Sequence, residues 1–308
     1  KLINGGNHSI NVGYTEATRG CKHVCRHCPV VPVYNGRFFV VQPDVVMEDI
    51  SQQVEAGAEH ITFGDPDFFN GPGHALRLVE TFHQEFPNLT YDVTIKVEHL
   101  LAHREKLNLL AETGCLFVTT AVEEVDDDVL CKLEKSHTRA DFIEVVSATN
   151  AAELTLSPTF IPFHPWTTTF GFVDLLSMIS GLDLIENVAP VQLGIRLLIP
   201  EGSRILELKE MNQFLGGFDA EKLSYSWKSA NQHVDELKSK VYEAIQLGVS
   251  ERASRREIFE KVWILAHNAC EQSVPALPPE RAESAPVPAM SEPWYCCAEP
   301  TDEQVAGM

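Results

Sequence analysis

The sequence has no apolar run long enough to cross a bilayer, which excludes a transmembrane helix. It is also short of positive charge. Only 24 lysines and arginines stand against 44 aspartates and glutamates, a formal net charge of −20. A polyanion rewards a basic surface, so neither nucleic acid nor an anionic membrane face is an expected partner. Solubility alone accounts for such acidity as well as any function does. No secretory signal and no internal repeat are visible. What is present is a globular composition: 308 residues, 44 % hydrophobic and 22 % charged, enough for one barrel domain and an appendage.

Eight cysteines are spread over the chain: Cys21, Cys25, Cys28, Cys115, Cys131, Cys270, Cys296 and Cys297. A reducing compartment keeps thiols free for metal binding or catalysis, and a cytoplasmic protein is expected. Cys115, Cys131 and Cys270 read as core residues, because buried free cysteine is common. The first three sit in the run Cys21-Lys22-His23-Val24-Cys25-Arg26-His27-Cys28, a CxxxCxxC spacing just after the strand-like segment 9–15. Three thiolates from one loop can ligate three irons of a 4Fe–4S cube. A fourth local cysteine is missing, so the fourth iron is expected to stay open. A zinc knuckle using His23 or His27 and a disulfide are the competing readings of the loop.

This loop resembles the signature of the radical S-adenosylmethionine (SAM) superfamily, apart from His27 where an aromatic residue usually precedes the third cysteine. The resemblance implies a 4Fe–4S cluster on Cys21, Cys25 and Cys28, SAM chelated to the open iron, and an electron donor such as flavodoxin or ferredoxin. It also implies a partial (β/α)6 barrel. The sequence pattern agrees, since strand-like and helix-like segments alternate as a parallel sheet requires. Strands are expected at 60–63, 91–97, 115–122, 154–162 and 191–198, following the one before the loop. Helices are expected at 43–58, 72–85, 103–112, 126–135 and 168–185, with another capped by Asp141. Beyond residue 200 the pattern changes to helices at 220–246 and 254–270, and then to a proline-rich extended linker at 273–293. The expected units are thus a barrel at 1–200, a helical extension at 201–272, and a linker with tail at 273–308.

In parallel α/β folds, sites gather at the C-terminal ends of strands. Gly64-Asp65-Pro66 occupies the place of the superfamily's Gly-Gly-Glu element, which implies Asp65 or Asp67 as the acid facing the SAM ammonium. By the same resemblance Lys96, Glu98, Thr119, Thr120 and Glu123 fall where SAM contacts lie; a ribose diol wants a carboxylate or hydroxyl, and a carboxylate wants a cation. Glu123 is the expected ribose ligand and Lys96 the expected partner of a carboxylate. Arg196, inside the apolar run 193–199, is expected to face the lumen and pair with a carboxylate, since a guanidinium is rarely buried alone; that of SAM is the candidate, which makes Arg196 an expected cofactor-binding residue. His164 and Trp166 are candidates for an adenine or substrate pocket.

The tail ends the linker with Trp294-Tyr295-Cys296-Cys297-Ala298-Glu299-Pro300. Adjacent thiolates on a linker of this length can reach a barrel mouth, and thiolates bind soft centres. The motif is similar to the hallmark of a small radical SAM family with a CCAEP or CUAEP tail, which includes the radical SAM enzyme of arsinothricin biosynthesis. That resemblance implies transfer of the 3-amino-3-carboxypropyl group of SAM to arsenite, a small-molecule substrate carried by Cys296 and Cys297. The alternatives are a 5′-deoxyadenosyl-radical enzyme acting on another small substrate and a non-catalytic iron–sulfur carrier.

Overall fold

The computed structural model describes residues 2–3, 9–279, 287–290 and 297–300. Its centre is a five-stranded parallel sheet: β1 (Val12–Thr15), β2 (His60–Phe63), β3 (Thr90–Thr94), β4 (Cys115–Glu123) and β5 (Leu156–Phe160). The strands lie side by side in chain order. Val12 pairs with His60, Ile61 with Tyr91, Tyr91 with Cys115 and Val118 with Leu156. Each crossover carries helix: α1 (Pro43–Glu55), α2 (Pro72–Glu85), α3 (Val97–Ala102) with α4 (Leu107–Glu112), α5 (Asp127–Lys132) with α6 (Arg139–Ala151), and then α7 (Thr169–Gly181). This is the expected mixed α/β partial barrel.

Local chemistry sets the helix starts. Pro43 and Pro72 open α1 and α2, where the missing amide hydrogen costs nothing. The side chain of Asp126 accepts from the amides of Asp128 and Val129 and so caps α5. Thr138 and Asp141 form a reciprocal capping box on α6, so Thr138 is the cap and Asp141 its partner three residues on, not the cap itself. Between sheet and helices lies one large core. Phe63, Phe82 and Tyr91 pack edge to face there, a geometry that favours ring quadrupoles.

Beyond shifts of a few residues at element ends, four elements depart from the sequence expectations. The third strand ends at Thr94, and Val97–Ala102 is already helical, because Lys96 turns the chain into α3. The segment 191–198 is not one strand: Pro190–Gly194 forms a 3₁₀ turn, and only residues 195–198 run extended beside Phe163. The helix expected from 220 starts at Gln232, after an antiparallel hairpin of β6 (Leu215–Asp219) and β7 (Ser224–Trp227). Leu223 with φ +51° makes the turn, and Asn231 caps α8 (Gln232–Ser250). Lastly, α5 stops at Lys132, and the chain tightens so that the Lys135 amide returns to the Leu130 carbonyl. α9 (Arg255–Ala269) then packs against α8 and α7. The described parts of the proline-rich segment lie on α9 and its neighbours: Trp263 donates to the Pro275 carbonyl at 2.9 Å, and the amide of Val287 to the Glu186 carbonyl at 3.1 Å.

Candidate active site at the barrel mouth

The CxxxCxxC loop follows β1 directly and is fixed from three sides. Asn70, after β2, accepts from the Lys22 amide at 3.1 Å and donates to the Gly20 carbonyl at 3.0 Å. The Arg26 amide donates to the Leu133 carbonyl at 2.9 Å, and the Arg26 carbonyl accepts from Ser203 and from the Ile205 amide. Asp65 holds the approach to the loop: its buried carboxylate accepts from the amides of Ala17 at 2.9 Å and Thr18 at 2.5 Å and from the Thr18 hydroxyl at 2.6 Å. Burial pushes the Asp65 carboxyl up to about 6 against those three hydrogen bonds. With its oxygens engaged in this way, Asp65 builds the loop. Gly64 beside it leaves room for the Tyr14 ring, because a Cβ there would meet the Tyr14 oxygen at 1.9 Å.

Cys21 and Cys25 are buried and Cys28 is partly buried. Donors point at the sulfurs: the His23 amide lies 3.5 Å from Cys21 Sγ and Lys96 Nζ lies 3.7 Å from Cys25 Sγ. Burial raises the Cys21 thiol while the His23 amide opposes the rise; metal coordination removes such a proton outright. Three thiols on one tight loop with a cation and an amide beside them fit an iron–sulfur cluster.

Around the loop the strand ends assemble a buried polar ring. Lys96 Nζ lies 2.5 Å from Glu98 Oε1. Burial would raise the Glu98 carboxyl, but His137 and Lys96 outweigh it and keep it well below the usual carboxylate range. Glu123, at a register shift in β4 with φ +72°, meets His27 Nε2 at 3.1 Å and Lys135 Nζ at 3.5 Å. Burial works against its charge, yet Lys135 and His27 hold its pKa down to about 2. The buried Lys135 is correspondingly raised: burial lowers it, and Glu123 more than compensates. Thr120 lies in the same strand, fully buried, and its hydroxyl has no partner among the described residues. Thr119 pairs with Thr94 and Ser157 within the sheet. His164 is held by Glu124 at 2.8 Å, away from the loop cysteines' own contacts, and Trp166 lies against it.

Cys296 lies outside the described residues. Cys297 does not, and it is beside the ring: a ligand atom from each of His27, Glu123 and Cys297 falls within 4.8 Å of the others. The tail reaches this point as an added strand. The Leu198 amide donates to the Cys297 carbonyl at 3.0 Å, Leu197 pairs with Ala298, and the Glu299 amide donates to the Arg196 carbonyl at 2.8 Å. Arg196, expected at the carboxylate of SAM, is instead engaged by the side chain of Glu299 in the tail. Its guanidinium also donates to the Trp227 carbonyl and lies 3.7 Å from the centre of the Trp227 ring. The Trp227 indole in turn donates to the Leu197 carbonyl at 2.8 Å. Composition alone does not reveal these pairings, nor those of Asn70 with the loop, His27 and Lys135 with Glu123, and His137 with Glu98; each joins separate elements of the fold.

Comparison with known proteins agrees with this arrangement. The family described as the radical SAM superfamily matches residues 15–169, just over half of the chain. Members of that superfamily bind a 4Fe–4S cluster and SAM. Among solved structures, the cobalamin-dependent SAM radical enzyme OxsB, with aqua-cobalamin and SAM bound, superposes with a TM-score of 0.64 at 13% identity, over 77% of this chain and 41% of that one. The radical SAM methyltransferase TsrM from Kitasatospora setae, with cobalamin and a 4Fe–4S cluster, gives 0.50 at 18% identity, over 56% and 33%. The chain therefore spans about a third to two fifths of these proteins, and at such identities the likeness is one of fold. No curated protein matches the chain. No described helix is long and apolar enough to cross a membrane.

Proposed function

This chain belongs to the radical SAM superfamily, and from that premise we propose that it transfers the 3-amino-3-carboxypropyl group of SAM to trivalent arsenic, forming a carbon–arsenic bond. The observation that carries the reading is the docked tail, with Cys297 against His27 and Glu123 at the mouth of the barrel. Arsenic(III) is thiophilic, and a thiol held against the cluster loop, with a second cysteine next to it in the sequence, suits it as a carrier. When bound, the cluster would supply the electron that breaks the carbon–sulfur bond of SAM and releases methylthioadenosine; keeping the alkylated arsenic trivalent takes a second electron as one arsenic–sulfur bond is given up, and an external flavodoxin- or ferredoxin-like donor would furnish both electrons.

The chain's own residues divide the remaining work. Cys21, Cys25 and Cys28 ligate three irons. The Lys96–Glu98 pair offers a cation to the SAM carboxylate and an anion to its ammonium, both already largely out of solvent. Thr120 and Glu123 are assigned to the ribose; the Thr120 hydroxyl is a buried group that lacks a partner, and a buried hydroxyl rarely goes unpaired. Asp67 accepts from the Lys96 amide and orients His99. Cys296 and Cys297 hold arsenite, and Arg196 fixes the tail through Glu299.

The test is an anaerobic assay of the reconstituted protein with SAM, dithionite and arsenite. The expected products are methylthioadenosine and an aminocarboxypropyl arsenical, with the arsenical lost in the Cys296→Ser, Cys297→Ser double variant. 5′-Deoxyadenosine in place of methylthioadenosine, or full alkyl transfer by the double variant, overturns the proposal.

A further inference from the structure

Beside the cluster loop, three side chains from three elements converge: His23 from the loop itself, Asp67 after β2 and His99 in α3. A ligand atom from each lies within 4.8 Å of the others. His23 Nε2 faces His99 Nε2 at 3.3 Å. Behind each imidazole stands a carboxylate: His99 Nδ1 lies 2.6 Å from Asp67 Oδ2, and His23 Nδ1 lies 3.5 Å from Glu98 Oε1. Asp67 is fully buried, and neither Asp67 Oδ2 nor His99 Nδ1 has a hydrogen bond elsewhere among the described residues.

A neutral imidazole carries one N–H and one lone pair. If both Nδ1 atoms keep their protons toward the carboxylates, two Nε2 lone pairs point at each other across 3.3 Å. If one Nε2 takes the proton to bridge that gap, its own Nδ1 lone pair is left facing a carboxylate. With both rings neutral one repulsive contact remains inside a buried site, and either a second proton on one imidazole or a bound metal ion removes it. A cation between the Nε2 atoms removes it: both lone pairs become ligands, and both Nδ1–H groups face acceptors. The spacing agrees, since two zinc–nitrogen bonds of about 2.0–2.1 Å at a tetrahedral angle put the nitrogens roughly 3.3 Å apart. Carboxylates behind metal-bound imidazoles are the usual orienting groups.

We propose that His23 and His99 bind a divalent cation of the zinc class through their Nε2 atoms, with Asp67 and Glu98 orienting the rings and solvent or a small anionic ligand completing the coordination. The site is distinct from the three-cysteine cluster and ties the cluster loop to the ends of β2 and β3. Imidazole donors suit zinc, cobalt, nickel or iron(II), and no thiolate is required.

The test uses the anaerobically reconstituted holoprotein, incubated with zinc and desalted, with zinc, iron and sulfide measured together. The expected result is about one zinc per chain in addition to the cluster iron, and a loss of zinc affinity of about 100-fold or more in His99→Ala. Asp67→Asn, which preserves shape, should lose 10- to 100-fold, the usual range for an orienting carboxylate. Iron and sulfide at wild-type levels report that each variant is folded and loaded. Less than a tenth of a zinc per wild-type chain, or unchanged zinc binding in a loaded His99→Ala or Asp67→Asn protein, overturns the proposal. Absence of iron from the wild type is a different failure, that of the cluster assignment.

Discussion

The Glu299–Arg196 pair is the point where the tail is fastened, and Glu299→Gln tests it with the least change in shape. The two side chains are mostly buried, at 18% and 17% exposure, so solvent screens their charges only in part. Arg196 is held in place from the other side by the Trp227 ring and carbonyl, and so does not have to be ordered by the bond. A hydrogen bond to a charged group contributes about 1.5–3 kcal/mol; taking about 2 kcal/mol, the population with an undocked tail rises roughly 30-fold. The remaining anchors, two backbone hydrogen bonds and the packing of Cys297 and Ala298 on the Leu197–Trp227 cluster, still favour docking. The readout is amide exchange at Leu198 and Glu299, whose N–H groups are covered only by the docked arrangement. Their exchange should quicken by about 10- to 30-fold, while amides of β2 and β3 stay unchanged. Arg196→Lys, which keeps the charge but loses the fork and the ring contact, should fall between. Exchange at both amides within twofold of wild type in Glu299→Gln would refute the latch.

Three further outcomes follow from the site. The Asp65 carboxyl is raised from 3.8 to about 6, so the folded state holds the extra proton and stability is lost as pH climbs from about 4 to about 6. The stability difference between wild type and Asp65→Asn, from denaturant unfolding at stepped pH, should drift by up to about 3 kcal/mol across that window, and a flat difference contradicts the assignment. Gly64→Ala should cost about 1–2 kcal/mol by displacing the Tyr14 ring, and a Tyr14→Ala background should abolish the cost; equal losses in both backgrounds would mean that the ring is not the cause. Lys135→Met leaves Glu123 buried with His27 alone and should destabilise by about 3 kcal/mol at neutral pH in urea unfolding, whereas a loss below about 1 kcal/mol would show that the pair does not carry the charge.

The parallel strands and the cluster loop were legible in the sequence because their determinants are local. His60–Phe63 is a short apolar run closed by glycine, and its strand spans the expected residues. The hairpin 215–227 was not, since Leu223 turns the chain with a positive φ that its type does not advertise, and the sheet face it presents is decided by Trp227 meeting Leu197. The sixth strand was half visible: its apolar composition fits burial in either state, and Pro190 starts a turn instead. Arg196 illustrates the division. Its burial predicts a carboxylate partner, but not that the partner stands 103 residues away in the tail. His27 departs from the superfamily's aromatic residue, and the structure sets it 3.1 Å from Glu123 in the interior, a pairing that local sequence does not disclose.

The central claim is that Cys21, Cys25 and Cys28 alone hold the cluster and leave one iron for SAM. Iron and sulfide analysis of the anaerobically reconstituted protein, with the electron paramagnetic resonance signal of the reduced form recorded before and after SAM addition, tests it most directly. About four irons and four sulfides per chain are expected, with a signal that shifts with SAM, and loss of both in each single cysteine-to-alanine variant. A colourless, iron-free wild type, a signal indifferent to SAM, or full iron retained in Cys28→Ala would contradict it.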